Sequence, residues 1–268
     1  MLEDTAFQCV PSYRLLTQAQ IIRLHEATLE LLEMTGVKVL YPEAVDMLTE
    51  AGCRVQSENV VQIPSSLVED CIRSVPSEIN LYNRLGQKAM HLGERRSHFG
   101  LGTDLIKTYD LDTGELRNSS LNDVANAARV ADALEHIDFI ASYALPQERP
   151  SNMMYIDCFK LEMENSIKPI FFTAAGQEDL SVINKMASIV AGGEAALREK
   201  PFHIHYAEPV SPLTHSAGAL KKLFFCADHQ VPVTYAPGMM SGATAPTTIA
   251  GAVAMGNAEA LSGIVLHQ

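Results

Sequence analysis

The chain has 268 residues, 47% hydrophobic and 19% charged, which supplies a large core and excludes a disordered chain. Its 20 Lys+Arg against 32 Asp+Glu leave a net charge of −12 with no basic stripe, so nucleic acid is not expected as a partner. Five cysteines (Cys9, Cys53, Cys71, Cys158, Cys226) never form a CxxC pair, which argues against a disulfide framework or zinc knuckle and for reduced thiols in a cytoplasmic protein.

Met1 to Pro11 holds Glu3 and Asp4 and no apolar run of signal length. Thr17 is an N-cap type, and Ile21, Leu24, Thr28, Leu31 and Leu32 follow at helical spacing until Gly36. Val37 to Leu40 predicts a strand. Tyr41-Pro42 opens a second helix to Ala51-Gly52, with Pro42 suited to the first turn. Val60 to Ile63 is extended, and Pro64-Ser65-Ser66 begins a third helix ending at Val75-Pro76. Strands are expected at Ile79 to Tyr82, Ala89 to Leu92 and His98 to Leu101, then a hairpin around Asp112-Thr113-Gly114. Ser120 caps a helix through Val124, Ala128, Ala131 and Leu134.

Beyond Glu135 the alternation becomes regular. Ile137 to Leu145, Pro169 to Ala174, Phe202 to Ala207 and Val231 to Tyr235 are short apolar runs at the length of a βα repeat. Helices are expected near Met153 to Asn165, Gln177 to Val190, Thr214 to Cys226 and Thr247 to Leu266. The last of these is apolar for most of its length, but Asn257 and Glu259 interrupt it, so a packed core helix is expected and not a membrane span. Strands that are apolar throughout and alternate with helices imply a parallel sheet covered by helices. No GxGxxG or Walker motif follows the first strand, so a TIM-type (β/α)-barrel is preferred to a doubly wound sheet. Only about four of eight βα units are present, and the chain looks cut after Gln268. The expected division is an α+β N-terminal domain, 1–135, and the first half of a (β/α)8 barrel, 136–268.

In such a barrel the reactive groups sit on loops after the strands. That rule selects Leu145-Pro146-Gln147-Glu148, Ala174-Ala175-Gly176, the EPVSPL turn with Glu208 and Ser211, and the Gly- and Met-rich segment from Ala236 to Pro246. His203 and His205 form an HxH pair on one face of a strand, which leaves a metal-dependent hydrolase as an alternative. A second alternative is a non-catalytic half-barrel subunit with open sheet edges.

EPVSPL, then PGMMSGATAPTTIAGAVAMGNAEALSGIVL, with GLGTD, YDLDTGELRNSS, LNDVANAARVADALEHID and IKPIFFTA upstream, resemble the trimethylamine methyltransferase family, which includes glycine-betaine enzymes. The resemblance spans nearly the whole chain. It implies an enzyme that moves a methyl group from a tertiary or quaternary amine to the cobalt of a corrinoid carried by a separate protein. The family is considerably longer, and the region that holds pyrrolysine in its trimethylamine enzymes lies beyond Gln268. A methylated cation calls for carboxylates and aromatic or soft faces. The expected substrate-binding residues are therefore Asp104, Tyr206, Glu208, Ser211, Tyr235, Met239, Met240 and Ser241. No catalytic residue and no metal ligand is assigned, and a homo-oligomer without membrane contact is the expected assembly.

Overall fold

The computed structural model describes residues 13–94 and 96–268, so Cys9 and the N-terminal reading lie outside the described residues. In chain order the elements are α1 (Gln18–Glu30), β1 (Val37–Val39), α2 (Pro42–Glu50), β2 (Arg54–Val55), β3 (Val60–Gln62), α3 (Ser65–Ser74), β4 (Ile79–Tyr82), β5 (Lys88–Leu92), β6 (Lys107–Tyr109) and β7 (Leu116–Asn118). They continue with α4 (Leu121–Ala133), β8 (Ile140–Ala141), α5 (Ser151–Asn165), β9 (Ile170–Phe172), α6 (Gln177–Ala191), α7 (Glu194–Glu199), β10 (His203–Ala207), β11 (Thr214–His215), α8 (Ala217–His229), β12 (Val233–Tyr235) and α9 (Ile249–His267).

The fold is mixed α/β. Its C-terminal half holds a four-stranded sheet in the order β12-β10-β9-β8, every pairing parallel, as the four apolar runs require. Within this chain the sheet is open, not a closed barrel. One face packs on the helices. Ile140, Ile170 and Phe172 meet Phe159, Leu180, Ile183 and Phe225 in one buried cluster. Each such side chain contributes about 1.5–3 kcal/mol through its burial. The opposite face carries Phe139, Phe171 and Ile204, and the β4–β5 hairpin covers it with Leu81 and Met90. Backbone bonds from Tyr82 N to Pro201 O and from Arg84 N to Ile167 O, both 2.8 Å, fix that hairpin at the end where the strands begin.

A second core joins β1, β3, α2 and α3 to Leu220, Leu223 and the apolar face of α9. Packing therefore runs continuously across residue 135. Helix α9 is long and apolar enough to cross a membrane by composition alone, yet it lies among α1, α3 and α8 with a wholly buried Glu259.

Several expectations change in detail. The strand expected over Ile137 to Leu145 is hydrogen-bonded as β8 only at Ile140–Ala141. His98 to Leu101 forms no strand of its own; residues 100–105 run parallel beside β8 through isolated bridges Gly100–Phe139 and Leu105–Ala144. A Cβ at Gly100 would lie 2.4 Å from the Phe139 ring, so only glycine permits that approach. Thr214 and His215 do not begin a helix; they pair in parallel with Lys38 and Val39, and Ser216 caps α8 instead. The short strand β2 and helix α7 carry too little periodicity to be read beforehand. Thr17 does cap α1 with a capping box. Lys168 closes the other end of α4, its Nζ donating to the Ala131, Leu134 and Ile137 carbonyls at 2.6–2.7 Å.

Helix α5 buries Glu162 completely, and among the described residues neither carboxylate oxygen has a hydrogen-bond partner. Burial pushes its pKa up to about 8, opposed by Ser142 and reinforced by Asp104, so it is a neutral acid at pH 7. A carboxyl whose folded pKa lies above its unfolded value contributes stability that is whole below about pH 4.3 and is lost as pH rises through the folded value. Melting temperatures of the wild type should accordingly fall between about pH 4.3 and 8 by more than those of Glu162→Gln. Parallel curves would show that Glu162 titrates normally. At Gly36, φ is +80° and an added Cβ would sit 2.4 Å from the Val61 carbonyl oxygen. Gly36→Ala should cost about 2–4 kcal/mol in urea unfolding, from strain and overpacking together.

Candidate functional site

The loops after β8, β9, β10 and β12 leave one edge of the parallel sheet. Ala236 N bonds to Ala207 O at 3.1 Å, so the EPVSPL turn and the Gly- and Met-rich segment start side by side. On this edge three of the expected residues come together. Tyr206 donates its hydroxyl to Glu208 Oε2 at 2.7 Å. Asp104, held at φ +65° by bonds from its own N to Ser142 O and from Leu105 N to Tyr143 O, faces the same charges. Its carboxyl is raised by burial first and also by the field of Glu208, and its Oδ1 has no partner among the described residues. Tyr206 is raised to about 12, mainly by burial and then by Glu208.

Beneath these carboxylates lies an aromatic row across three strands. Phe139 and Phe171 have centroids 5.8 Å apart, and Phe171 and Tyr206 are 5.5 Å apart. Two acids that repel each other beside aromatic faces are suited to a cation without hydrogen-bond donors. Tyr155 of α5 and Asp179 at the start of α6 belong to the same surroundings: burial and Asp104 raise Tyr155 to about 12, and Asp179 Oδ2 is buried without a partner among the described residues. Neither residue stood out in the sequence, because each sits inside an ordinary helical pattern.

Other expected residues are engaged elsewhere. Ser211 donates to Glu259 Oε2 at 2.8 Å, and Leu213 N donates to Oε1 at 2.8 Å, so Glu259 ties the EPVSPL turn to α9. The Tyr235 ring packs on Gly263, where a Cβ would lie 2.2 Å away, and its hydroxyl is 2.6 Å from His215 Nδ1. Ser262 gives its only proton to the Ala258 carbonyl at 2.7 Å, so it accepts from His215 Nε2 at 2.8 Å. His215 Nδ1 must then accept from the Tyr235 hydroxyl, which leaves Tyr235 as an anchor facing α9. Met239 rests against Gly256, whereas Met240 is exposed and Ser241 lies on an exposed turn bridged to Ala245. Glu259 was visible in the sequence as a lone acid in an apolar helix; its partners were not.

His203 and His205 correct the hydrolase alternative. Both point into the helix layer, where His203 stacks on Phe172 at 5.3 Å and approaches Asn184. Burial lowers them to about 4 and about 3, so both are neutral. Among the described residues no group of three or more His, Cys, Asp and Glu is placed to hold a metal. A cavity of about 640 Å³ lies along the unpaired edge of β12, lined by Val233, Ala260 and Ile264, away from the Asp104 and Glu208 carboxylates.

Comparison with known proteins adds to this geometry. The family model for trimethylamine methyltransferase matches residues 3–268. The trimethylamine methyltransferase MttB of Desulfitobacterium hafniense (strain DSM 10664 / DCB-2) is 35% identical over 253 residues, 93% of this chain and 50% of that protein. A glycine betaine methyltransferase of Desulfitobacterium hafniense (strain Y51) is 29% identical over 262 residues, 97% and 54% respectively. The trimethylamine methyltransferase MttB of Methanosarcina barkeri (strain Fusaro / DSM 804) is 29% identical over 269 residues, 95% and 52%. The chain thus spans about half the length of the curated relatives it matches, and with the family model covering nearly all of it, it belongs to the trimethylamine methyltransferase family.

Proposed function

We propose that this chain supplies the amine-binding part of a methyltransferase that moves a methyl group from a tertiary or quaternary amine to the cobalt of a corrinoid on a separate protein. The observation that carries this reading is the Asp104, Tyr206 and Glu208 group over the Phe139–Phe171 row, in a member of an amine methyltransferase family. The fold it implies is a (β/α)-barrel of which 136–268 form the first half, with 1–135 as the α+β domain leading into it.

A quaternary ammonium already carries a good leaving group: the carbon–nitrogen bond breaks, the nitrogen keeps the electron pair, and a neutral tertiary amine departs. A tertiary amine reaches the same state once protonated. The methyl acceptor is the partner's cobalt, which acts as a substrate of this protein. What remains for the chain is placement. Asp104 and Glu208 hold the positive charge, the aromatic row faces the methyl groups, and the strand ends keep the departing methyl turned outward. Leu105, Ile106, Tyr109 and Met240 are exposed around this edge and offer apolar contact to a protein that approaches it. Arg117, paired with Asp110 at 3.0 Å and with Asp123 at 2.8 Å, braces the β6–β7 hairpin that carries Tyr109. Free thiols at Cys53, Cys71, Cys158 and Cys226 are in keeping with a cytoplasmic setting. A homo-oligomer completes the proposal.

Calorimetric titration with tetramethylammonium tests the site directly. Asp104→Asn should weaken binding by about 10-fold or more, as loss of a half-buried charge partner predicts, and Glu208→Gln, at an exposed carboxylate, should weaken it less. Affinity in the wild type should also begin to fall, on acidification, above the pH at which an ordinary aspartate titrates, since Asp104 is raised and only its charged form attracts the cation. Unchanged affinity in both variants would remove this reading.

A further inference from the structure

Glu162 and Asp104 flank a single residue, Ser142. Helix α5 runs back along β8, as the parallel pairing of β8 with β9 requires. Its Cys158 thiol donates to the Ala144 carbonyl at 3.6 Å. One helical turn on, about 5.4 Å, comes Glu162, and two residues back in the extended segment, about 7 Å, comes Ser142, so the carboxyl faces that serine. The Ser142 carbonyl accepts the Asp104 N–H at 2.8 Å, and the charge of Asp104 reaches Glu162. Glu162 has no exposed surface and neither of its oxygens has a partner among the described residues; Asp104 Oδ1 is likewise buried and unpartnered there. The other groups around this spot are acidic or neutral. Tyr155 and Cys158 come from α5, Asp179 from the start of α6, and Tyr206 and Glu208 from the end of β10. Burial keeps the thiol and both phenols protonated, and the buried side of α4 is apolar. Lys222 of α8 donates to the Ala174 carbonyl at 2.8 Å, and its field meets Glu208 and Asp179, not Glu162. A buried carboxyl in such company keeps its proton until a positive charge arrives.

From this placement we infer that Glu162 exchanges its proton for the charge of the substrate: a methylated cation at Asp104 expels the proton, and departure of the methyl group brings it back. The inference rests on the amine reading above and adds a third acid to it. On binding, the Glu162 O–H bond breaks, the electron pair stays on the carboxylate, and the proton leaves to solvent by way of Asp104, the more exposed of the two. When the carbon–nitrogen bond breaks, the nitrogen keeps its pair and the site loses one positive charge. The Glu162 carboxylate then recovers a proton from solvent by the same route. Cation and proton alternate, so the net charge of the site stays fixed through the cycle. The spent amine, once it is protonated, meets one carboxylate fewer than the substrate did, which favours its release. The sign of the pH dependence follows. Binding favours the charged form of Glu162, so cation affinity rises with pH until the free protein has itself given up the proton, near pH 8, and is flat above that.

The experiment is calorimetric titration of the full chain with tetramethylammonium, a cation that carries no proton of its own, on the wild type and Glu162→Gln. It is run from about pH 6 to about pH 9 and in two buffers of different ionisation heat, which together count the protons released. The wild type should bind about 3-fold or more tighter at the upper end of that range than at the lower, and should release part of a proton per cation near pH 7. Glu162→Gln should show neither effect. Infrared difference spectra of the wild type with and without tetramethylammonium should lose the C=O band of a protonated carboxyl and gain carboxylate bands, a change that a merely structural role for Glu162 does not produce. If the cation binds the wild type with one affinity across the range and the carboxyl band stays, the proton exchange is overturned and the amine site stands. Proton release of equal size in Glu162→Gln overturns it as well. If tetramethylammonium does not bind the wild type, the amine reading fails and this inference fails with it. The wild-type infrared spectrum decides the matter even where Glu162→Gln does not fold.

Discussion

A parallel sheet has to be covered on both faces, and the way this chain meets that requirement governs everything else in it. Helices α4 to α8 cover one face, and the β4–β5 hairpin covers the other. The hairpin is anchored where the strands begin, through Pro201 and Ile167. The opposite end of the same face is left to Tyr206, Glu208 and the segment that brings Asp104. Apolar burial at one end thus leaves the polar groups at the other within reach of a ligand.

Burial also sorts the titratable groups into two kinds. Glu162, His203 and His205 lie between the sheet and its helices, where the charged form is too costly, and all three are neutral at pH 7. Asp104, Glu208 and Lys222 lie at the sheet's edge, where solvent sustains charge but does not fully screen it. The HxH pair, conspicuous in the sequence, falls in the first group. Lys222, inconspicuous in an ordinary helix, falls in the second.

Helix α9 lies in the second core, which α8 links to the first. Its glycines let Tyr235 and Met239 pack onto it closely, and its one buried acid, Glu259, holds the Ser211 and Leu213 backbone turn. The His215, Tyr235 and Ser262 chain fixes β12 from the same side. The loop that presents Glu208 is therefore pinned at its far end by a helix that starts over thirty residues later and by the N-terminal strand β1, which pairs with β11. Precision at the site comes from these remote attachments, since the EPVSPL turn alone has little to hold it.

The sequence by itself determined the parallel βα pattern, the strands at their repeat, and the caps at Thr17 and Ser120, and it named the trailing edge of the sheet as the expected site. Those features follow from local periodicity, from turn and cap residues, and from the rule that parallel strands present their trailing loops together. It also pointed to Asp104, Tyr206 and Glu208, and the structure brings these side by side. Which of the remaining polar residues would be engaged was decided only by the tertiary structure. Ser211 and Tyr235 are taken up by Glu259 and His215, and Met239 is taken up by Gly256, through contacts between residues far apart in the chain. Periodicity assigns a residue to a face of its own element, but its partner lies on another element whose position depends on packing as a whole. For the same reason the strand expected at His98 to Leu101 became an edge segment beside β8, and the helix expected from Thr214 gave two residues to a sheet whose other strands lie in the first sixty-two residues.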